Sequence, residues 1–197
     1  QIDLNQSDQL FLLGDYIDRG PSGKKVIDKL LQLREEGFQV FAIRGNHEEE
    51  ILNLNKEKSG HFVKTIYEQG DLYGLFESGW KLKPKYLEFF QSMPFYMELD
   101  NFFLVHAGFN FSINRPFEDT DSMITVRNWV YDPVIAKGKT IIYGHTPTRL
   151  EEIRYLIESR EKAIPLDNGC VFNSFSDMGN LLCLRLEDFQ LYIQPNI

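Results

Sequence analysis

Apolar positions recur along this chain in two rhythms. Gln9-Leu10-Phe11-Leu12-Leu13 is a short apolar run closed by Gly14-Asp15, which predicts a buried strand that delivers a loop. After Pro21-Ser22, the apolar positions Val26, Ile27, Leu30 and Leu31 fall on one helical face. Gly37 follows them as the residue type that ends helices by entering the left-handed region. Residues 38–43 form a second apolar run, ending in Arg44-Gly45-Asn46-His47-Glu48. Strand, helix, strand at this spacing predicts a βαβ unit with parallel strands.

Residues 49–91 read as helical but broken, by Gly60, Gly70, Gly74, Gly79 and Pro84. The aromatics there (Phe62, Tyr67, Tyr73, Phe76, Trp80, Tyr86, Phe89, Phe90) are assigned to packing, the usual role of large rings. Short strand candidates return at 95–99, 102–105, 140–143, 163–166, 181–186 and 190–193, with Asp100-Asn101 marking a hairpin between the first two. No repeat, low-complexity tract or linker divides the chain, so residues 1–197 are expected to form a single domain. The expected class is α/β, with two β-sheets packed face to face and helices outside.

Composition narrows the partners. The 21 basic and 29 acidic residues give a net charge of -8, which argues against a surface built for nucleic-acid backbones. Anionic small substrates stay open, because a local cation cluster or bound metals override net charge. Cys170 and Cys183 have no metal-type spacing and apolar neighbours. They read as small buried hydrophobes, with a disulfide between neighbouring strands as the alternative. No stretch approaches a membrane span and none resembles a signal peptide, so a cytoplasmic protein without a membrane partner is expected. The oligomeric state is not legible. The chain opens Gln1-Ile2-Asp3 without methionine, from which a preceding segment in the gene product is expected.

The chemistry-bearing residues are placed more tellingly than they are numerous. Of four histidines, three follow apolar strands within short polar clusters: Asn46-His47, His106 and Gly144-His145. Asp15 occupies the same kind of place after the first strand. Strand ends in α/β proteins converge at one sheet edge, where side chains delivered by different loops can meet. A lone histidine after a strand is usually a solvated loop residue, and His61 in Ser59-Gly60-His61-Phe62 gets that reading. Three histidines, an Asn and an Asp at strand ends point to metal binding. Imidazole nitrogens, a carboxylate and an amide oxygen suit Mn, Fe or Zn better than Ca or Mg.

Gly14-Asp15-Tyr16-Ile17-Asp18-Arg19-Gly20 and Arg44-Gly45-Asn46-His47-Glu48 resemble the second and third signature motifs of the phosphoprotein phosphatases, within the calcineurin-like metallophosphoesterases. His106-Ala107-Gly108, Gly144-His145-Thr146 and Asp167-Asn168-Gly169 resemble the later motifs, in the family's order. The compact length and the Gly-His-Thr-Pro form look most like the bacterial and phage branch. The resemblance implies a four-layer αββα fold. It also implies two divalent transition metals, Mn first, with Fe or Zn as alternatives. Asp15 would bridge the metals, and Asn46, His106 and His145 would complete the second position. His47 would protonate the leaving group with Asp18 holding its imidazole, and Arg19 would bind phosphate oxygens. Arg127 matches a second phosphate-binding arginine, although Thr125-Val126 stands where bacterial members often carry tryptophan. Asp167 reads as structural. Two arginines and two metals match the charge of a phosphomonoester dianion, which direct attack of metal-activated water would hydrolyse.

The family's first motif, Gly-Asp-x-His-Gly, does not occur in the fourteen positions before Asp15. Its Asp and His would be the remaining ligands of the first metal. Omission of a segment and true truncation compete as explanations. Omission is favoured, because loss of a central strand would bare the backbones of its neighbours. From these residues alone, at most one tightly bound metal and very weak turnover are expected. The leading functional expectation is dephosphorylation of phosphoserine and phosphothreonine, with a phosphorylated protein or small phosphoester as partner. The alternatives are a dinucleoside polyphosphate hydrolase or, with a true truncation, a non-catalytic phosphate- or metal-binding module. Asp18 before Arg19 and Thr146 after His145 favour the phosphatase, since the dinucleoside branch typically has Ala and Trp there.

Overall fold

Parallel pairing of the first two apolar runs organises the N-terminal half. The computed structural model describes residues 3–57, 72–79, 81–172 and 175–196, so His61, Phe62, Tyr67 and Trp80 lie outside the described residues. The chain divides into two compact units, Asp3–Pro94 and Phe95–Ile197. In the first, β1 (Gln9–Leu12) lies parallel to β2 (Gln39–Ala42), with Leu10 opposite Val40 and Phe11 opposite Phe41. That register stacks the Phe11 and Phe41 rings at 5.1 Å. Helix α1 (Gly23–Glu35) makes the crossover. Ile27 and Leu30 are buried and Leu31 is partly buried, whereas Val26 is 42% exposed. The inward stripe is therefore narrower than the sequence pattern suggests. Gly37 adopts φ +87° as expected, letting the Phe38 N–H reach back to Leu33 O at 2.9 Å. β1 is less buried than its composition implies: Leu10, Phe11 and Leu12 are all half-buried. Among the described residues β1 has one hydrogen-bonded neighbour, β2.

Among its described residues the middle of the chain is helical and broken around Gly74, Gly79 and Pro84, whereas Gly60 and Gly70 lie outside the described residues. Helix α2 (Asn46–Glu57) is followed by a 3-10 turn at Tyr73–Leu75, a small hairpin of β3 (Phe76–Glu77) and β4 (Lys81–Leu82), and α3 (Pro84–Ser92). Pro84 sits in the first turn of α3, where a missing N–H costs no intrahelical bond. Tyr86, Phe89 and Phe90 enter the core beside Ile27, Leu30 and Leu75, the packing role assigned to them. Arg44 braces the two helices: its guanidinium bonds Glu49 at 2.7 Å and the carbonyls of Phe90 and Gln91 at 3.2 and 3.1 Å.

In the second unit, β5 (Tyr96–Glu98) and β6 (Phe102–Val105) form the expected antiparallel hairpin. β6, β7 (Thr140–Tyr143) and β8 (Ala163–Pro165) run parallel, giving the order β5-β6-β7-β8. Two helices interrupt these strands, α4 (Thr120–Thr125) and α5 (Leu150–Glu158). Neither was foreseen, although Leu150, Ile153 and Ile157 carry helical spacing. β9 (Asn180–Arg185) and β10 (Gln190–Pro195) close as an antiparallel hairpin. This unit has its own core of Phe103, Val105, Phe109, Met123 and Ile141 under the rings of Tyr96, Phe117 and Trp129. Cys170 and Cys183 are free thiols and only half-buried, less enclosed than expected. Among the described residues, no helix is long and apolar enough to cross a membrane.

One polar tie in the first unit is open to measurement. Asp28 of α1 accepts from Lys24, from Lys85 at 3.0 Å and from the Tyr86 hydroxyl at 2.8 Å. Burial works against its ionised form, yet these donors outweigh burial and hold the carboxyl down at about 2. The stabilisation is therefore present above the ordinary value of 3.8 and fades as pH falls towards 2. With the side chain one-third exposed, the pair is worth no more than about 1 kcal/mol. Asp28→Asn should lower the melting midpoint at pH 6 by about 2–4 °C. The difference from wild type should close when melts are repeated near pH 2.

Candidate active site

The loop after β1 is shaped by a carboxylate that arrives from α2. Glu48 is fully buried. Its Oε2 accepts the backbone N–H groups of Asp15 at 2.9 Å and Gly45 at 3.0 Å, and its Oε1 that of Tyr16 at 2.8 Å. Burial, and next the charge of Asp15, push this carboxyl up to about 7, while the three donors favour its ionised form. Tyr16 adds a second clasp. Its hydroxyl accepts from Gly14 N–H at 2.9 Å and lies 2.9 and 2.8 Å from the carbonyls of Leu12 and Ile43, at the ends of β1 and β2. The residues after both strands are thus tied to one another. The approach is so close that a Cβ on Gly45 would stand 2.3 Å from Asp15 Oδ1 and 2.6 Å from Asp15 N.

Within this frame Asp15, Asp18 and His47 come together. His47 sits in the first turn of α2, and its Nδ1 lies 3.0 Å from Asp18 Oδ2. Its Nε2 is 3.7 Å from Asp15 Oδ2. The imidazole is 12% exposed, so the Asp18 contact fixes the ring in a setting shielded from most solvent. Asn46 opens α2 beside it and is half-buried. Arg19 is exposed. Asp15, Asp18 and Arg19 all have positive φ, at 57°, 67° and 57°. The Gly20 N–H donates to Asp18 O at 2.5 Å, which makes Arg19 the centre of a γ-turn of the strained, positive-φ kind. Such conformations cost about 1–3 kcal/mol each and gather at functional sites.

In the second unit, His106 follows β6 and is buried, and His145 follows β7. Their rings converge: His106 Nε2 and His145 Nδ1 are 3.1 Å apart. Two imidazole nitrogens bound to one transition metal at about 2.1 Å, with an angle near a right angle, stand about 3 Å apart, so the pair fits a shared cation. His145 has φ 66°, and the Thr146 N–H donates to Gly144 O at 2.7 Å, a second strained γ-turn at a predicted site residue. The Gly144 N–H donates to His106 O at 2.7 Å, joining the two histidine loops. Arg127, just past α4, is exposed. Asp167 Oδ1 accepts from Gly169 N–H at 2.7 Å, a turn-capping bond that agrees with its structural assignment. The neighbouring Asn168 was not singled out, yet it is buried and spans Thr148 O, Asp177 O and Asn180. Glu48 and Tyr16 were also missed as individuals. Both lie inside the quoted motifs, but only long-range contacts reveal their work.

Two substitutions test the frame. Gly45→Ala forces Asp15 aside, and overpacking of this kind costs about 1–3 kcal/mol. The melting midpoint should therefore fall by roughly 3–10 °C. Glu48→Ala strands three enclosed N–H groups and should cost more, about 3 kcal/mol or above. A Glu48→Ala protein that melts within about 2 °C of wild type would remove Glu48 from its central place.

Residues 2–172 match the family model described as calcineurin-like phosphoesterase. Similar proteins include the bis(5'-nucleosyl)-tetraphosphatase PrpE (asymmetrical) of Anoxybacillus flavithermus, 25% identical over 212 aligned residues that cover 95% of this chain and 79% of the relative. The same enzyme of Oceanobacillus iheyensis is 28% identical over 190 residues, covering 84% and 71%. Among solved structures, a candidate diadenosine tetraphosphatase superposes with a TM-score of 0.66 at 19% identity, over 97% of this chain and 82% of that one. A cold-active protein tyrosine phosphatase gives 0.53 at 17% identity, over 95% and 68%. The structural likenesses bear on fold, and they agree with the expected α/β metallophosphoesterase architecture of mixed sheets and helices. The named relatives are tetraphosphatases and not the serine/threonine phosphatases that the motif details favoured. With a family match over most of its length, the chain belongs to the calcineurin-like phosphoesterases.

Proposed function

We propose that this phosphoesterase hydrolyses a phosphoanhydride bond of dinucleoside polyphosphates. The observation that carries the chemistry is the His47–Asp18 pair at 3.0 Å, beside Asp15. The substrate class is supported by the relatives named as bis(5'-nucleosyl)-tetraphosphatases. Asp15, Asn46, His106 and His145 are assigned as metal ligands, and Arg19 and Arg127 as phosphate-binding residues. The 3.1 Å separation of the two imidazole nitrogens supports this assignment for the histidines. Divalent metal ions, when bound, supply an acidified water and neutralise phosphate charge. The residues of the chain then do the rest. Arg19 and Arg127 hold phosphate oxygens by charge-assisted hydrogen bonds. Asp18 fixes the His47 ring through Nδ1. As the water oxygen bonds to phosphorus and sheds a proton to solvent, the bridging P–O bond breaks and His47 gives its proton to the departing oxygen, to be reprotonated from solvent.

Hydrolysis of phosphomonoesters, including phosphoserine and phosphothreonine, is the second reading. The same His47–Asp18 pair favours it, because a proton donor matters most when the leaving group is an alkoxide. Asp18 before Arg19 and Thr146 after His145 point the same way.

Parallel turnover of diadenosine tetraphosphate and a phosphoserine peptide under one Mn²⁺ supply separates the two readings. The expected result is at least about tenfold higher kcat/KM for the dinucleotide. A preference of that size for the peptide would replace the first reading with the second. His47→Asn should slow alkyl phosphates far more than nitrophenyl phosphate, whose leaving group needs little protonation. Equal losses on both would argue against His47 as the proton donor.

A further inference from the structure

Trp129 belongs to none of the motifs, yet it bonds the loop that carries His106 and packs on the strand that leads to His145. Its Nε1–H donates to Ala107 O at 3.1 Å, the carbonyl of the residue after His106. The Ala107 N–H is held from the other side by Met123 O at 2.8 Å. The indole also occupies the place a side chain would need at the next residue. A Cβ on Gly108, whose φ is +145°, would stand 2.1 Å from Trp129 Nε1 and 2.5 Å from Cε2. The glycine of His106-Ala107-Gly108 thus makes room for this ring. On its other flank Trp129 meets Tyr143 edge-on, with centroids 5.0 Å apart and planes at 68°. Tyr143 is the last residue of β7, two before His145. Phe111 closes the cage at 6.1 Å and 82°.

A half-buried tryptophan among aromatic rings is most often packing. What separates this one is its hydrogen bond to the His106 loop together with its contact on the strand leading to His145. The Gly144 N–H to His106 O bond ties the two loops directly, and the indole links the His106 loop to β7, the strand leading to His145. A shift of either loop by a few tenths of an ångström changes the 3.1 Å nitrogen spacing. Metal sites depend on such supporting contacts, whose loss typically weakens binding by about 10–100-fold.

We infer that Trp129 is a positioning residue that sets the separation of His106 Nε2 and His145 Nδ1 for a divalent cation. The inference rests on the proposed ligation by these two histidines. It gives no role to the ring in contacting substrate.

Co²⁺ serves as the probe, because it both binds such sites and quenches indole emission. W80F leaves Trp129 as the sole tryptophan of the chain. Co²⁺ titrated into W80F should quench its emission to saturation, with the midpoint found by calorimetry on the same protein. W129F keeps a ring but removes the N–H, and should bind Co²⁺ about tenfold more weakly with an unchanged far-UV circular dichroism spectrum. H145A is the control for ligation and should lose Co²⁺ binding by a larger factor. Unquenched emission from W80F while calorimetry shows saturation overturns the inference, as does wild-type affinity in W129F. If H145A loses Co²⁺ while W129F does not, ligation stands and positioning fails. If H145A binds Co²⁺ as tightly as wild type, ligation fails and the inference falls with it. Should W129F not fold, Y143L, which removes the ring that Trp129 meets on β7, takes its place: weakened Co²⁺ binding is expected, and wild-type affinity overturns the inference.

Discussion

A buried carboxylate with three backbone donors around it is the interaction on which the first unit's chemistry depends. Taking Glu48 wholly out of water is costly, and among the described residues the N–H groups of Asp15, Tyr16 and Gly45 offset that cost. Each donor accepts a constraint in return. The residues after β1 and after β2 must approach until Gly45 has no space for a side chain. Asp15 must turn into the left-handed region. Because Glu48 lies in the first turn of α2, the same anchor positions His47 against Asp18. The His47–Asp18 contact is therefore tied to how two loops share one carboxylate.

The second unit brings its histidines together without a buried carboxylate among the described residues. Its histidines follow two adjacent parallel strands, β6 and β7, so the sheet brings the loops side by side. Peptide hydrogen bonds and an indole then set the finer spacing. In both units, strained γ-turns centre on residues of predicted function, Arg19 and His145. Such backbone persists only where the surroundings over-determine it. Here the surroundings are the polar clasp of the first unit and the aromatic cluster of the second.

Family membership and substrate stand on different footing. The machinery for breaking a phosphorus–oxygen bond is common to monoesterases and anhydride hydrolases, since both must balance phosphate charge and protonate a leaving oxygen. What differs is the surface that receives the rest of the substrate, which no motif marks. Two residues beside the motifs, Asp18 and Thr146, favoured phosphomonoesters, whereas the named relatives are tetraphosphatases. Short-range sequence detail and overall likeness thus disagree on the substrate while agreeing on the chemistry.

Much of the fold was legible in the order of residues. The parallel pair around α1, the hairpin at Asp100-Asn101 and the strands 140–143 and 163–166 are written in local periodicity and turn chemistry, which need no partner to be read. Asp15, His47, His106 and His145 were legible as candidates too, because each stands just after an apolar run, whereas Asp18 was singled out only through the motif resemblance. Burial of Glu48, the need for glycine at 45 and 108, the strained turns and the place of Trp129 were not. Each arises from contacts between residues far apart in sequence. Glu48 meets Asp15 across 33 positions and Trp129 meets Ala107 across 22. Local pattern records which face of an element is apolar, whereas a hydrogen bond or a clash between distant loops exists only once the chain has folded.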